Sequence, residues 1–232
     1  MTILLYDLVG ADPARPFSPH CWKVAMALAH KGLAFDSVPT PFTAVPDVEG
    51  GVSKTVPVIR DGAAVVADSF AIAEYLEKTY PDRPSLFGGP GGVAMARFVE
   101  RWSQLTIHPF FGAAAMADIH DRLAPKDQAY FRRSREERNN GRSLESVAAE
   151  RDSRQPEFLK KLEPLRSMLA YQPFIGGSGP LFCDYIVFGA FQWMRIMSTY
   201  APLPADDPVA AWFERCLDLH DGLGRGVTAA AA

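Results

Sequence analysis

Ser18 stands immediately before Pro19, and Cys21 follows within one helical turn, in the stretch FSPHC. A serine at an N-cap and a proline at the first helical position predict a helix start, with Cys21, Val24, Ala25 and Leu28 on one face, Lys31 in the last turn and Gly32 as the stop. Unpaired N–H groups and the positive end of the helix dipole favour an anion at that point. A thiolate is such an anion: a free thiol has a pKa of ~8.5, and a helix N-terminus brings it toward neutrality. Asp68-Ser69 precedes Phe70, Ile72, Ala73 and Leu76 at helical spacing, so it sets a carboxylate and a hydroxyl at a second helix N-terminus. That combination suits the ammonium and carboxylate of an amino-acid zwitterion. Val56-Pro57 suits the opening of a strand, where the missing donor of proline costs no ladder bond. Taken singly, the Ser-Pro and Asp-Ser pairs also read as ordinary helix caps, each worth about 1 kcal/mol.

Other reactive types are sparse. Cys21, Cys183 and Cys216 are odd in number and lack metal-ligand spacing, which argues against a disulfide framework and a metal site. Cys183 and Cys216 read as buried thiols. Cys21 is either a core or pocket residue or the thiol of a redox enzyme, although the helix dipole acts more strongly at position 18. His108, in TIHPFF, reads as a structural histidine or as an acid near a leaving group.

The formal charge of −3, with scattered Lys and Arg, provides no footprint for nucleic acid or an anionic membrane. Seven arginines fall between Lys126 and Glu157, but acidic residues interleave with them, predicting a solvated, salt-bridged helical face rather than an anion site. The start reads as a strand, not a secretory leader, and the uncharged run Leu105 to Ala117 is shorter than the ~20 residues of a membrane span. A cytoplasmic location is expected.

These residues need elements to position them. Ile3 to Leu8 is an apolar run of strand length, Phe35 to Pro39 a second strand, and Val56 to Val66 two short strands around an Asp61-Gly62 turn. With the two helices, the order is β-α-β, a loop, then β-β-α. Tyr80 to Gly92 holds three prolines and four glycines in thirteen residues, the composition of a connector. Everything beyond reads as helix: Val93 to Ala117, roughly Lys126 to Asn139, Leu144 to Ala170 with interruptions at Pro156 and Pro164, Phe182 to Met197, and Val209 to Leu219. The AAAA tail is expected to fray.

The Ser-Pro at the first helix, the Val-Pro opening the third strand and the Asp-Ser opening the next helix resemble the glutathione transferase family over the whole chain. The resemblance implies an α/β thioredoxin-like N-terminal domain (1–80), a linker (81–92) and an all-α helical C-terminal domain (93–232). It also implies a cis Val56-Pro57 bond. In such proteins Ser18 is the catalytic hydroxyl and glutathione the cosubstrate; Val56 and Pro57 meet its cysteinyl unit and Asp68 and Ser69 its γ-glutamyl end. The FSPHC frame is similar to the Cys-Pro-x-Cys of glutaredoxin-like domains, with a hydroxyl in place of the reactive sulfur. The implied logic is that the sulfur arrives with glutathione. Two departures stand out: Lys54-Thr55 replaces the usual Gly-Lys, so either side chain can meet glutathione, and Leu181 holds the cap of a capping box of which only Asp184 survives, weakening that helix start by about 1 kcal/mol.

The stretches DRPSLFGGP, YFRRSREERNNGRSLESVAAERDSRQP and DDPVAAWFERCLDLHDGLGR look like the bacterial β-etherases, glutathione transferases that cleave β-aryl ethers of lignin-derived aromatic ketones. The resemblance implies a hydrophobic aromatic acceptor, with Trp102, His108, Phe110, Phe111 and Tyr130 as candidate lining, and a homodimer. A general detoxifying transferase or peroxidase, and a glutathione-binding module without catalysis, are the alternatives.

Overall fold

The computed structural model describes residues 2–230. Four strands, β1 (Ile3–Leu8), β2 (Phe35–Thr40), β3 (Val58–Asp61) and β4 (Ala64–Ala67), form one sheet in the order β2-β1-β3-β4. β2 runs parallel to β1, with Leu5 opposite Ser37, whereas β1, β3 and β4 pair antiparallel, with Leu5 opposite Ile59 and Ile59 opposite Val66. The parallel pair needs a crossover, which α1 (Pro19–His30) supplies; the antiparallel pair β3-β4 closes over Gly62 at φ +59. α2 (Ser69–Thr79) follows β4, and α1 and α2 pack together and on the sheet.

The loop after β2 becomes a 3-10 segment, Phe42–Gly50, broken at Val48 and Glu49. Its end is tied to the sheet, because the Glu49 carboxylate accepts from the Tyr6 hydroxyl and from Arg60 Nε.

After residues 80–89, which form no regular element, the chain is helical: α3 (Pro90–Ala114), α4 (Met116–Asp121), α5 (Pro125–Arg138), α6 (Leu144–Ala148), α7 (Arg151–Lys161), α8 (Glu163–Leu169), α9 (Phe182–Met197) and α10 (Pro208–Leu217). Two expected boundaries are corrected. The long helix from Val93 ends at Ala114 and restarts as α4. Pro156 is no interruption and lies inside α7, where Phe158 stacks on Phe110 at 4.2 Å between ring centroids; that packing outweighs the lost backbone bond, and the breaks fall at residues 149–150 and Leu162 instead.

α9 is buried almost all round and joins the halves by packing on both α1 and α3, so a single hydrophobic core runs through the molecule. Its start is firmer than the half capping box suggests. The Asp184 carboxylate accepts from Leu181 N at 3.0 Å and also from Ile175 N at 2.7 Å, Gly176 N at 2.8 Å and Trp212 Nε1 at 3.0 Å. A second tie across the halves is the ion pair of fully buried Lys23 on α1 with Glu100 on α3, at 3.0 Å. Of the alanine tail, residues 231–232 lie outside the described residues, and Ala230 N donates to Arg195 O at 2.9 Å.

Candidate functional site

The N-terminus of α1 leaves few groups free. Ser18, in extended backbone at φ −60 and ψ 125, caps the helix: its Oγ accepts the Cys21 N–H at 3.2 Å, and its carbonyl accepts the Trp22 N–H at 3.0 Å. Pro19 has no N–H, so among the described residues the His20 amide is left as the unpartnered donor of that turn. The Ser18 oxygen is engaged as an acceptor, and its hydroxyl lies within reach of both the Cys21 thiol and the cleft.

Ser18 lies at the edge of a cleft of about 620 Å³ between the sheet domain and the helices, a size that suits a small organic ligand. One wall comes from Phe42, Val45 and Pro46 of the 3-10 segment and from Lys54, Thr55 and Val56 before β3. The opposite wall comes from His108 and Gly112 on α3, Tyr130, Phe131, Arg135 and Arg138 on α5, and Trp193 on α9. α5 is held over the segment by buried Asp127, whose carboxylate oxygens accept from Phe42 N and Thr43 N, each at 3.0 Å. The rings Phe17, Phe42 and Phe131 follow one another at centroid separations of 6.1 and 5.8 Å, and Tyr130 lies 6.3 Å from Phe42.

The cleft brings together Ser18, Lys54, Thr55 and Val56 from one half of the chain and His108 and Tyr130 from the other. The Val56-Pro57 bond is cis. Asp68 and Ser69 open α2 outside the cleft lining but near the strand start, since Asp68 N donates to the Pro57 carbonyl at 3.3 Å. Asp68 adopts φ +76 and caps α2, Oδ1 accepting from Phe70 N at 3.0 Å and Ala71 N at 2.9 Å.

Trp102, Phe110 and Phe111 do not line the cleft. Trp102 borders a separate apolar groove with Met95 and Phe98, and Phe110 and Phe111 pack in the core around Phe158. Aromatic density could not separate ligand-facing from core-facing rings, because both kinds sit at helical spacing on α3. His20, Trp193 and Phe42 carry no sequence signal of their own, since they join the cleft only in the tertiary fold. The arginine-rich stretch behaves as expected in part. Arg132 pairs with Glu136 and Glu145, Arg142 with Glu150 and Arg151 with Asp118, but Arg135 and Arg138 turn to the cleft.

The electrostatics separate the candidates. Burial, with Asp7 beside it, pushes the Cys21 thiol well above the ordinary range, and its Sγ contacts Tyr6 O at 3.7 Å, so it is an inert core group. Burial and the charge of Lys23 lower His108 to about 3, and burial lowers His20 well below the usual imidazole range. The two rings stack at 5.3 Å, both neutral at pH 7, so His108 holds no imidazolium proton for a leaving group. All three cysteines are free, and no cluster of metal-ligating side chains occurs among the described residues. No described helix is long and apolar enough to cross a membrane.

Residues 17–79 match the N-terminal domain and residues 94–217 the C-terminal domain of glutathione S-transferases. Glutathione S-transferase Z1 of Arabidopsis thaliana is 38% identical over 69 residues, which are 28% of this chain and 31% of that protein. The glutathione transferase GSTFuA3 of Phanerochaete chrysosporium superposes with a TM-score of 0.74 at 27% identity, over 98% of this chain and 94% of its own. The glutathione S-transferase CsGST63524 of Ceriporiopsis subvermispora, solved in complex with glutathione, has the same fold, with a TM-score of 0.76 at 24% identity over 97% and 94% of the two chains. The C-terminal match alone spans more than half of the sequence, and the chain belongs to the glutathione S-transferase family.

Proposed function

We propose that this protein joins glutathione to an aromatic electrophile, with the Ser18 hydroxyl holding the cosubstrate's sulfur as a thiolate. The observation that carries this reading is the arrangement at the α1 N-terminus, where the Ser18 hydroxyl and the unpartnered His20 N–H meet at the edge of the cleft. Two donors and the helix dipole stabilise a thiolate relative to a thiol, so bound glutathione is nucleophilic near neutral pH. Lys54, Thr55, Val56 and Pro57, with Asp68 and Ser69, are proposed to hold the glutathione backbone. In this reading residues 1–80 carry the cosubstrate, 81–92 connect, and 93–232 shape the acceptor site, in a cytoplasmic protein whose thiols stay reduced.

The reaction proposed is displacement at a carbon alpha to an aromatic ketone, as in β-aryl ether cleavage. The sulfur electron pair forms the C–S bond, the C–O bond breaks, and the aryloxy group leaves as phenolate, which takes a proton from water. The protein contributes thiolate stabilisation and alignment of the reactants. The homodimer that the family resemblance implies is supported by one face of α3, where Phe98 is 70% and Leu105 61% exposed. Light scattering that found only a single-chain mass at micromolar concentration would end that part.

The deciding experiment supplies glutathione with a β-aryloxy aromatic ketone. Phenol and ketone-glutathione thioether should form in equal amounts. Turnover of a generic electrophile without phenol from either enantiomer leaves a general transferase; retention on immobilised glutathione with no turnover leaves a binding module.

A further inference from the structure

The charges lining the cleft are all of one sign. Lys54, Arg135 and Arg138 line it, and no Asp or Glu does so among the described residues. Lys54 stands on the wall before β3, whereas the two arginines stand one helical turn apart at the end of α5, on the opposite side. Within the same charged stretch Arg132, Arg142, Arg151 and Arg154 each have a carboxylate within 4.0 Å, whereas Arg133, Arg135 and Arg138 have none among the described residues, and of these three only Arg135 and Arg138 line the cleft. Arg138 is exposed at the rim, and Arg135 is half-buried with its guanidinium 4.7 Å from the Phe131 ring centroid. Burial and the charge of Arg138 lower the Arg135 pKa, yet a guanidinium stays charged at neutral pH. Arg135 donates to Ser134 Oγ at 3.4 Å but meets no carboxylate, and a partly desolvated cation without an anion is costly unless a ligand supplies one.

The rings set the direction. Phe17 adjoins Ser18 in sequence, Phe42 follows at 6.1 Å, Phe131 at 5.8 Å and the Arg135 guanidinium at 4.7 Å, so an aromatic track leads from the thiolate position to the arginines. We infer that the acceptor is an aromatic electrophile carrying a carboxylate, its reactive carbon at Ser18 and its carboxylate on Arg135 and Arg138. The planar fork of Arg135, stacked on Phe131, presents paired N–H donors in the geometry a carboxylate accepts. Lys54, on the other wall, is left for glutathione. This inference rests on the transferase reading and adds to it the charge of the acceptor.

The test compares two activated aryl chlorides, N-alkyl chlorodinitrobenzamides whose alkyl chains are long enough to follow the rings and end either in a carboxylate or in the matching neutral amide, so that the reacting ring is the same in both, with glutathione held saturating. Wild-type protein should prefer the carboxylate in kcat/KM, and Arg135→Gln combined with Arg138→Gln should lower that carboxylate-to-amide ratio by about tenfold or more, in the acceptor KM. The ratio is internal to each protein, so partial loss of folded enzyme does not move it. Added salt should shrink the preference in wild type only. Equal kcat/KM for both chlorides in wild type, or a double variant that raises the glutathione KM and leaves the ratio alone, overturns the inference while the transferase reading stands. Consumption of neither chloride overturns both.

Discussion

A Cβ placed on Gly189 of α9 would lie 2.2 Å from the carbonyl oxygen of Pro19, the residue after Ser18. The helical domain thus touches the backbone that carries the proposed catalytic hydroxyl, and only a residue without a side chain permits the approach. Backbone cannot swing aside as a side-chain tip can, so Gly189→Ala should displace the α1 N-terminus and cost about 1–3 kcal/mol of stability. Thermal unfolding and turnover should both fall. Unchanged values would mean that α9 can shift without disturbing α1.

Ser18 has two roles that a substitution can separate. Ser18→Ala removes the cap on Cys21 N, worth about 1 kcal/mol, and the donor O–H with it. Turnover should drop and the pH at which bound glutathione ionises should rise, as read from thiolate absorbance. Cys21→Ala should leave that titration in place, because the Cys21 thiol stays protonated in the core. The opposite pattern would transfer the chemistry to Cys21.

Asp68 is tested with a pair. Asp68→Asn keeps an oxygen to accept from Phe70 N and Ala71 N and removes the charge, whereas Asp68→Ala removes both. If the carboxylate meets the glutathione ammonium, both variants should weaken glutathione binding by about tenfold or more, and only Asp68→Ala should also lose about 1 kcal/mol of stability. Calorimetric titration and melting curves distinguish the two losses. Normal glutathione affinity in the folded Asn variant would remove Asp68 from the site.

Asp7, under α1, is buried with Oδ1 unpartnered, and burial raises its pKa to about 7, against hydrogen bonds that lower it. An acid whose folded pKa exceeds its unfolded value contributes stability that is full below pH ~4 and is lost as pH rises through about 7. That loss is on the order of 4 kcal/mol across the window for this group alone. Asp7→Asn should flatten this part of the stability profile and melt above wild type at pH 8. An unaltered slope in urea unfolding between pH 5 and 8 would show that Asp7 ionises normally in the fold.

The local signals were legible wherever one element determined them. Ser18 and Pro19 start α1, Asp68 caps α2, Gly62 turns the hairpin and α9 runs from Phe182 to Met197, each as the chain reads, because capping, turn geometry and a continuous apolar face act within a few residues. Pro156 misled because the α7 boundary was decided by the stack of Phe158 on Phe110, far off in the chain.

By itself the sequence determined the α/β half, the helical half and the hydroxyl at the α1 N-terminus. Tertiary structure alone decided which groups share the cleft. His108 and Tyr130 face it while Trp102 and Phe111 do not, and Arg135 and Arg138 turn to it while Arg132 pairs with carboxylates. The physical reason is that a helix offers the same residue types at the same spacing on every face. Which face meets a ligand depends on what the rest of the chain packs against the others, and here α9, admitted by Gly189, and the Asp127 tie of α5 to Phe42 and Thr43 make that choice.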